Sequence, residues 1–169
     1  MPVRRAVRRA LCCLAPLLLL AACGYGFGPQ RAGFVLPEGN RALSIDQVDN
    51  PTTESWLEPT LRADLRDELT RRGHIRWTER DRATGLVRVT VKSYSRPRAA
   101  TGQQETTLYR YAVIVVSMRV IDPVDRTTIW DSGEVHTQYP FLRGEEAEAD
   151  RTVVELAVRR LADRMTESY

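Results

Sequence analysis

The chain has 169 residues, with 25 Lys and Arg, 22 Asp and Glu, three cysteines and a formal net charge of +3. That length suits one domain with an ordinary hydrophobic core, and three cysteines are too few for a disulfide scaffold. Arg4, Arg5, Arg8 and Arg9 account for the excess charge: without those four the balance is about −1, which excludes the basic surface of a general nucleic-acid binder.

Those arginines precede a mostly apolar run of thirteen residues, Ala10 to Ala22. A run of that length fits a signal-peptide core and falls short of the roughly twenty residues that span a bilayer. Leu20-Ala21-Ala22-Cys23 resembles the bacterial lipobox. Residues 1–22 are therefore expected to be a cleaved lipoprotein signal, with Cys23 acylated as the mature N-terminus and held to a membrane by its acyl chains. Cys12 and Cys13 would leave with the signal, so no disulfide and no thiolate site is expected afterwards. Residues 23–40, which include Gly24-Tyr25-Gly26-Phe27-Gly28 and then Pro29, Gly33, Pro37 and Gly39, read as a lipidated tether. Residues 41–169 read as a single domain.

Within that domain, Ala42 to Val48 alternates as a strand and Asp49-Asn50-Pro51 ends it. From Ser55 to Arg72 the period changes to that of a helix, with Leu57, Leu61, Leu65 and Leu69 on one stripe. Ser55 and Glu58 fit a capping box, Pro59 is tolerable near the start, and Gly73 is the stop. A short strand is expected around His74 to Thr78. Val87, Val89 and Val91 then alternate with Arg88, Thr90 and Lys92, the signature of a strand with one buried face.

After a polar connector at 95–104, Thr106 to Ile121 forms the longest β-type run, with Ala112, Ile114, Val116, Met118 and Val120 on one face. Asp122 to Arg126 is a turn, and Thr127 to Tyr139 is a further strand in which Gly133 marks a bulge or twist. Glu145, Glu146, Glu148 and Asp150 suit the positive end of a closing helix, continued by Val154, Ala157, Val158, Leu161 and Met165. The expected fold is α+β, with two α-helices packed on one face of a mainly antiparallel four-stranded β-sheet.

Catalytic signatures are not evident. His74 and His136 are the only histidines, and they lie in different elements without metal-ligand spacing, so neither a metal nor a cofactor is expected. There is no nucleophile elbow and no phosphate-cradling glycine loop. An enzyme is disfavoured; a hydrolase built on paired carboxylates would need a pH-dependent turnover lost on a single Asp or Glu substitution.

The order of these elements, together with Cys23-Gly24-Tyr25-Gly26-Phe27, resembles the LptE family of lipopolysaccharide-assembly lipoproteins. Further matching pieces are Glu58-Pro59-Thr60-Leu61, Val120-Ile121-Asp122-Pro123, Ile129-Trp130 and Leu156-Ala157-Val158-Arg159-Arg160-Leu161-Ala162. The resemblance implies a plug inside the LptD outer-membrane β-barrel that helps the barrel assemble and lipopolysaccharide reach the surface. By analogy with lipoprotein sorting, Gly24 after Cys23 favours the outer membrane.

In the family, basic residues in the turn between the second and third sheet strands and after the last strand contact the glycolipid. Arginine suits its phosphates because it makes charge-assisted hydrogen bonds to them. The matching regions here hold Arg96 and Arg98, then Arg143. With antiparallel strands these should gather at one tip of the sheet with Tyr94, Tyr109, Tyr139 and Phe141. Arg96, Arg98, Tyr109 and Arg143 are accordingly the expected lipopolysaccharide-binding residues. The rival reading is a free-standing periplasmic lipoprotein that binds a lipid or glycan without a barrel partner.

Overall fold

The computed structural model describes residues 34–97 and 109–166, so Cys23, Arg98 and the expected signal lie outside the described residues. The regular elements are β1 (Ala42–Asp49), α1 (Leu57–Arg72), β2 (Arg76–Trp77), β3 (Gly85–Ser95), β4 (Tyr109–Ile121), β5 (Thr128–Leu142) and α2 (Glu146–Thr166). The sheet has five strands, in the order β2-β1-β3-β4-β5.

This corrects the expectation of four mainly antiparallel strands. β3, β4 and β5 do form the antiparallel meander, but β1 pairs in parallel with both β2 and β3. The cause is α1, which carries the chain from the end of β1 back to the level of its start, so the next strands run in the same direction as β1. The segment near His74 contributes only Arg76–Trp77, which suffices to add a fifth strand at the edge.

Both helices cover one face. The leucine stripe of α1 is buried, with Leu57, Leu61, Leu65 and Leu69 at 1 % exposure or less. It joins Val153, Val154, Ala157, Val158 and Leu161 of α2 and the inward residues of β3 and β4 in one core cluster. Gly73 closes α1 in the left-handed conformation at φ 71°, its N–H donating to Thr70 O at 3.1 Å. The start of α1 departs from the expected capping box. Trp56 precedes the helix with no side-chain cap, and the turn before it is organised by Asn50, which donates to Glu54 O at 2.8 Å and accepts from Thr52 Oγ1 at 2.7 Å. Pro59 falls in the first turn, where its missing N–H costs little.

Two irregularities shape the surface. In β3 the register slips between Val91 and Ser93, so Lys92 is an extra residue and everything after it changes face. In β5, Gly133 at φ 62° sits in a second irregularity, where Ser132 Oγ accepts the Met118 N–H at 2.8 Å in place of a ladder carbonyl.

Candidate functional site

Both helices begin at the same end of the sheet, the end where β3 finishes and β4 starts, and there Tyr109 opposes Leu142 and Tyr111 opposes Pro140. This is the tip expected from the sequence. Two helix N-termini contribute their partial positive charge to it, and Glu145 and Glu146 turn back to accept the N–H groups of Leu142 and Gly144, each at 2.9 Å.

The expected site residues divide in two at this tip. By strict alternation Tyr94 would share the open face with Arg88 and Thr90. The slip at Lys92 instead pairs Tyr94 with the inward-facing Ile114 and turns it toward the helices. Its ring meets Trp56 edge-on at 5.6 Å, and its hydroxyl donates to Asp150 of α2. Arg96 follows it. Its Nε lies 2.9 Å from Asp150 Oδ1, its Nη2 lies 2.5 Å from Asp150 Oδ2, and its guanidinium stacks 5.4 Å above the Tyr94 ring. Glu54 approaches Arg96 at 4.0 Å while accepting from Trp56 Nε1 at 2.8 Å. Burial, followed by the hydrogen bond to Asp150, pushes the Tyr94 hydroxyl above its ordinary pKa. The same Asp150 bond holds the Arg96 guanidinium charged.

Arg96 is thus part of a clasp that fastens the end of β3 to α2 and to the loop before α1. Arg143 differs. It is exposed in the turn between β5 and α2, and among the described residues no carboxylate lies within 4.0 Å of it. Tyr109 is 54 % exposed at the start of β4. Arg110, beside it, reaches Glu146 at 3.8 Å. Of the four expected ligand residues, Tyr109 and Arg143 are therefore presented at the tip, Arg96 is committed to a carboxylate, and Arg98 lies outside the described residues. Tyr139 and Phe141 stand at the same end of the sheet, opposite Ala112 and Arg110, but Phe141 is 2 % exposed and belongs to the core, and Tyr139 packs half-buried against it.

The opposite pole holds the entry of the chain. Phe34 stacks on His74 with ring centroids 5.1 Å apart, Val35 N–H donates to Met165 O at 2.9 Å, and Leu36 is 1 % exposed. These contacts pin the segment before β1 against the C-terminal ends of both helices.

A family model described as LptE, lipopolysaccharide-assembly, matches residues 41–168. The chain belongs to the LptE family. No curated protein matches its sequence. Among solved structures it is similar to a minor lipoprotein from Acinetobacter baumannii, with a TM-score of 0.52 at 13 % identity over 75 % of this chain and 93 % of that one. It also matches lipoprotein B from Nitrosomonas europaea, with a TM-score of 0.48 at 12 % identity over 76 % and 87 % of the two chains. PelC from Paraburkholderia phytofirmans gives 0.49 at 12 % identity over 80 % of this chain and 93 % of PelC. The first likeness agrees with the fold described above.

For an LptE-family chain the match begins one residue before β1 and takes in both helices, so it spans the whole clasp and the tip. The clasp residues Asp150, Glu54 and Trp56 were not singled out from the sequence. Asp150 reads there as one acid among several at a helix N-terminus, and nothing local to Tyr94 announces the extra residue at Lys92.

Proposed function

We propose that this LptE-family protein is an outer-membrane lipoprotein, acylated at Cys23, that plugs an LptD-type β-barrel, helps it assemble and binds lipopolysaccharide during delivery to the surface. The observation that carries the proposal is the family match over the whole folded domain. Catalysis has no part in this reading, and no cofactor is required.

The geometry supports it in two ways. The tip presents at Arg143 an exposed guanidinium with no carboxylate partner among the described residues, next in sequence to Leu142, which pairs with the exposed Tyr109, a combination that pairs with a phosphate and covers a sugar or acyl face. Arg98, in the connection that leaves the same tip, is the second cation of the site, and Arg96 acts from behind by fixing the base of that connection. Phe34, where the described chain begins, lies at the other pole. α2, 21 residues long, spans about 30 Å between the poles, the thickness of a bilayer's hydrocarbon core. A domain anchored at one pole and seated in a barrel would hold its tip near the far side of the membrane.

The test is a gentle detergent pull-down of the tagged, full-length protein from its native envelope, with bound proteins identified by mass spectrometry. Recovery of one stoichiometric outer-membrane β-barrel is the expected result. Recovery of the lipoprotein alone transfers the reading to a free-standing lipid- or glycan-binding lipoprotein.

A further inference from the structure

The two edges of the sheet are unequal. β2 offers only two residues, too few to template another strand, whereas β5 offers fifteen and lies last in the strand order. Which β5 groups point outward follows from β4. The Tyr111 N–H donates to Pro97 O at 3.2 Å, on the β3 side. It is turned away from β5, so the opposed pair Tyr111 and Pro140 is a non-hydrogen-bonded one. Pairing runs from Pro140 to Glu134 without a slip. Gln138, His136 and Glu134 therefore share that setting and aim their N–H and C=O groups away from β4. Pro140, which has no N–H, stands where an edge strand tolerates it.

These outward groups are what an added strand would bond. Two arginines one turn apart on α2 already occupy acceptors along this edge. Arg160 Nη1 donates to His136 O at 2.5 Å and lies 3.5 Å from Thr137 Oγ1. Arg164 Nη1 donates to Ser132 O, close to Gly133, where an added Cβ would sit 3.4 Å from it.

We propose that Arg160 and Arg164 close the β5 edge against strand addition by a second copy of this chain. The occupant excluded is a second copy because the edge is complementary to itself. Antiparallel pairing about a two-fold axis at His136 sets His136 opposite itself and Glu134 of each copy opposite Gln138 of the other, so that no two carboxylates face. The guanidinium groups oppose that pairing directly, by taking the His136 and Ser132 carbonyls, and by bringing the positive charges of both copies to the junction. This inference is independent of any barrel partner.

The experiment is sedimentation of the full-length protein in density-matched detergent over a concentration series, comparing wild type, R160Q/R164Q and R160Q/R164Q/Q138P. Gln138→Pro removes an outward N–H without touching the β4 ladder. The expected result is a single-copy wild type, a double variant that dimerises with at least about tenfold higher affinity, and loss of the dimer in the triple variant. A folded double variant that stays single-copy overturns the proposal, as does a dimer that survives Q138P. Should the double variant fail to fold, R160Q alone frees His136 O while Arg164 remains, and with and without Q138P it faces the same two outcomes.

Discussion

Arg96 and Arg143 look equivalent in the sequence, and substituting each should separate them. Arg96→Ala removes two charged hydrogen bonds to Asp150, at 2.9 and 2.5 Å, and the stacking on Tyr94. Asp150 is 15 % exposed at its side chain in the intact clasp and would keep Tyr94 as its neighbour, while Arg96 itself is 33 % exposed. Charged hydrogen bonds contribute about 1.5–3 kcal/mol when inaccessible to solvent, and partial exposure places this clasp near the lower half, at about 2 kcal/mol. For a domain of this size that is a fall in melting temperature of about 8 °C.

Asp150→Asn should cost about the same, and the double variant less than the sum, because the two residues share one interaction. Arg143→Glu should leave the melting temperature unchanged and weaken lipopolysaccharide binding, read by retention on immobilised lipopolysaccharide. The reasoning fails if Arg96→Ala melts within about 1 °C of wild type, or if Arg143→Glu destabilises the fold as strongly as Arg96→Ala does.

Four further predictions follow from the packing. Asp64 lines a cavity of about 140 Å³ between α1 and α2, where its Oδ2 is buried without a hydrogen-bond partner among the described residues. Burial first, then Glu155 and Asp67, raise its pKa above 3.8. Its contribution is therefore full below pH 3.8 and is lost as pH rises through the folded value, so Asp64→Asn should raise the melting temperature at pH 7, with the gain shrinking on acidification.

Glu68 behaves in the opposite sense, because the hydrogen bond from Arg71 holds its pKa below 4.5. The stability it contributes is present above 4.5 and lost as pH falls through the folded value, so Glu68→Gln should destabilise at pH 7 and converge with wild type in acid melts. Gly85→Ala would place a Cβ 2.8 Å from Leu43 Cδ2 and Val120 Cγ1, an overpacking that chemical denaturation should report as a loss of about 1–3 kcal/mol. Leu65→Ala, at a site 1 % exposed, should cost about 2–5 kcal/mol in the same assay.

What the sequence discloses and what it hides both trace to periodicity. The α1 stripe and the β4 alternation are legible because every position in them obeys one period and one core face collects them. Strand direction is not written in that period: β1 and β3 each read as half-buried strands, and only the return of the chain along α1 makes them parallel.

The site is harder still, because a single extra residue at Lys92 inverts the face of all that follows in β3. Alternation assigns Tyr94 and Arg96 to the open side, where they would stand ready for a ligand. The slip hands them to α2, and Asp150, 54 positions further along from Arg96, becomes the partner that decides their role. Arg143 escapes this because no strand parity governs it. It sits in a turn whose glutamates spend their oxygens on Leu142 and Gly144 backbone N–H groups, leaving its charge without a carboxylate partner among the described residues.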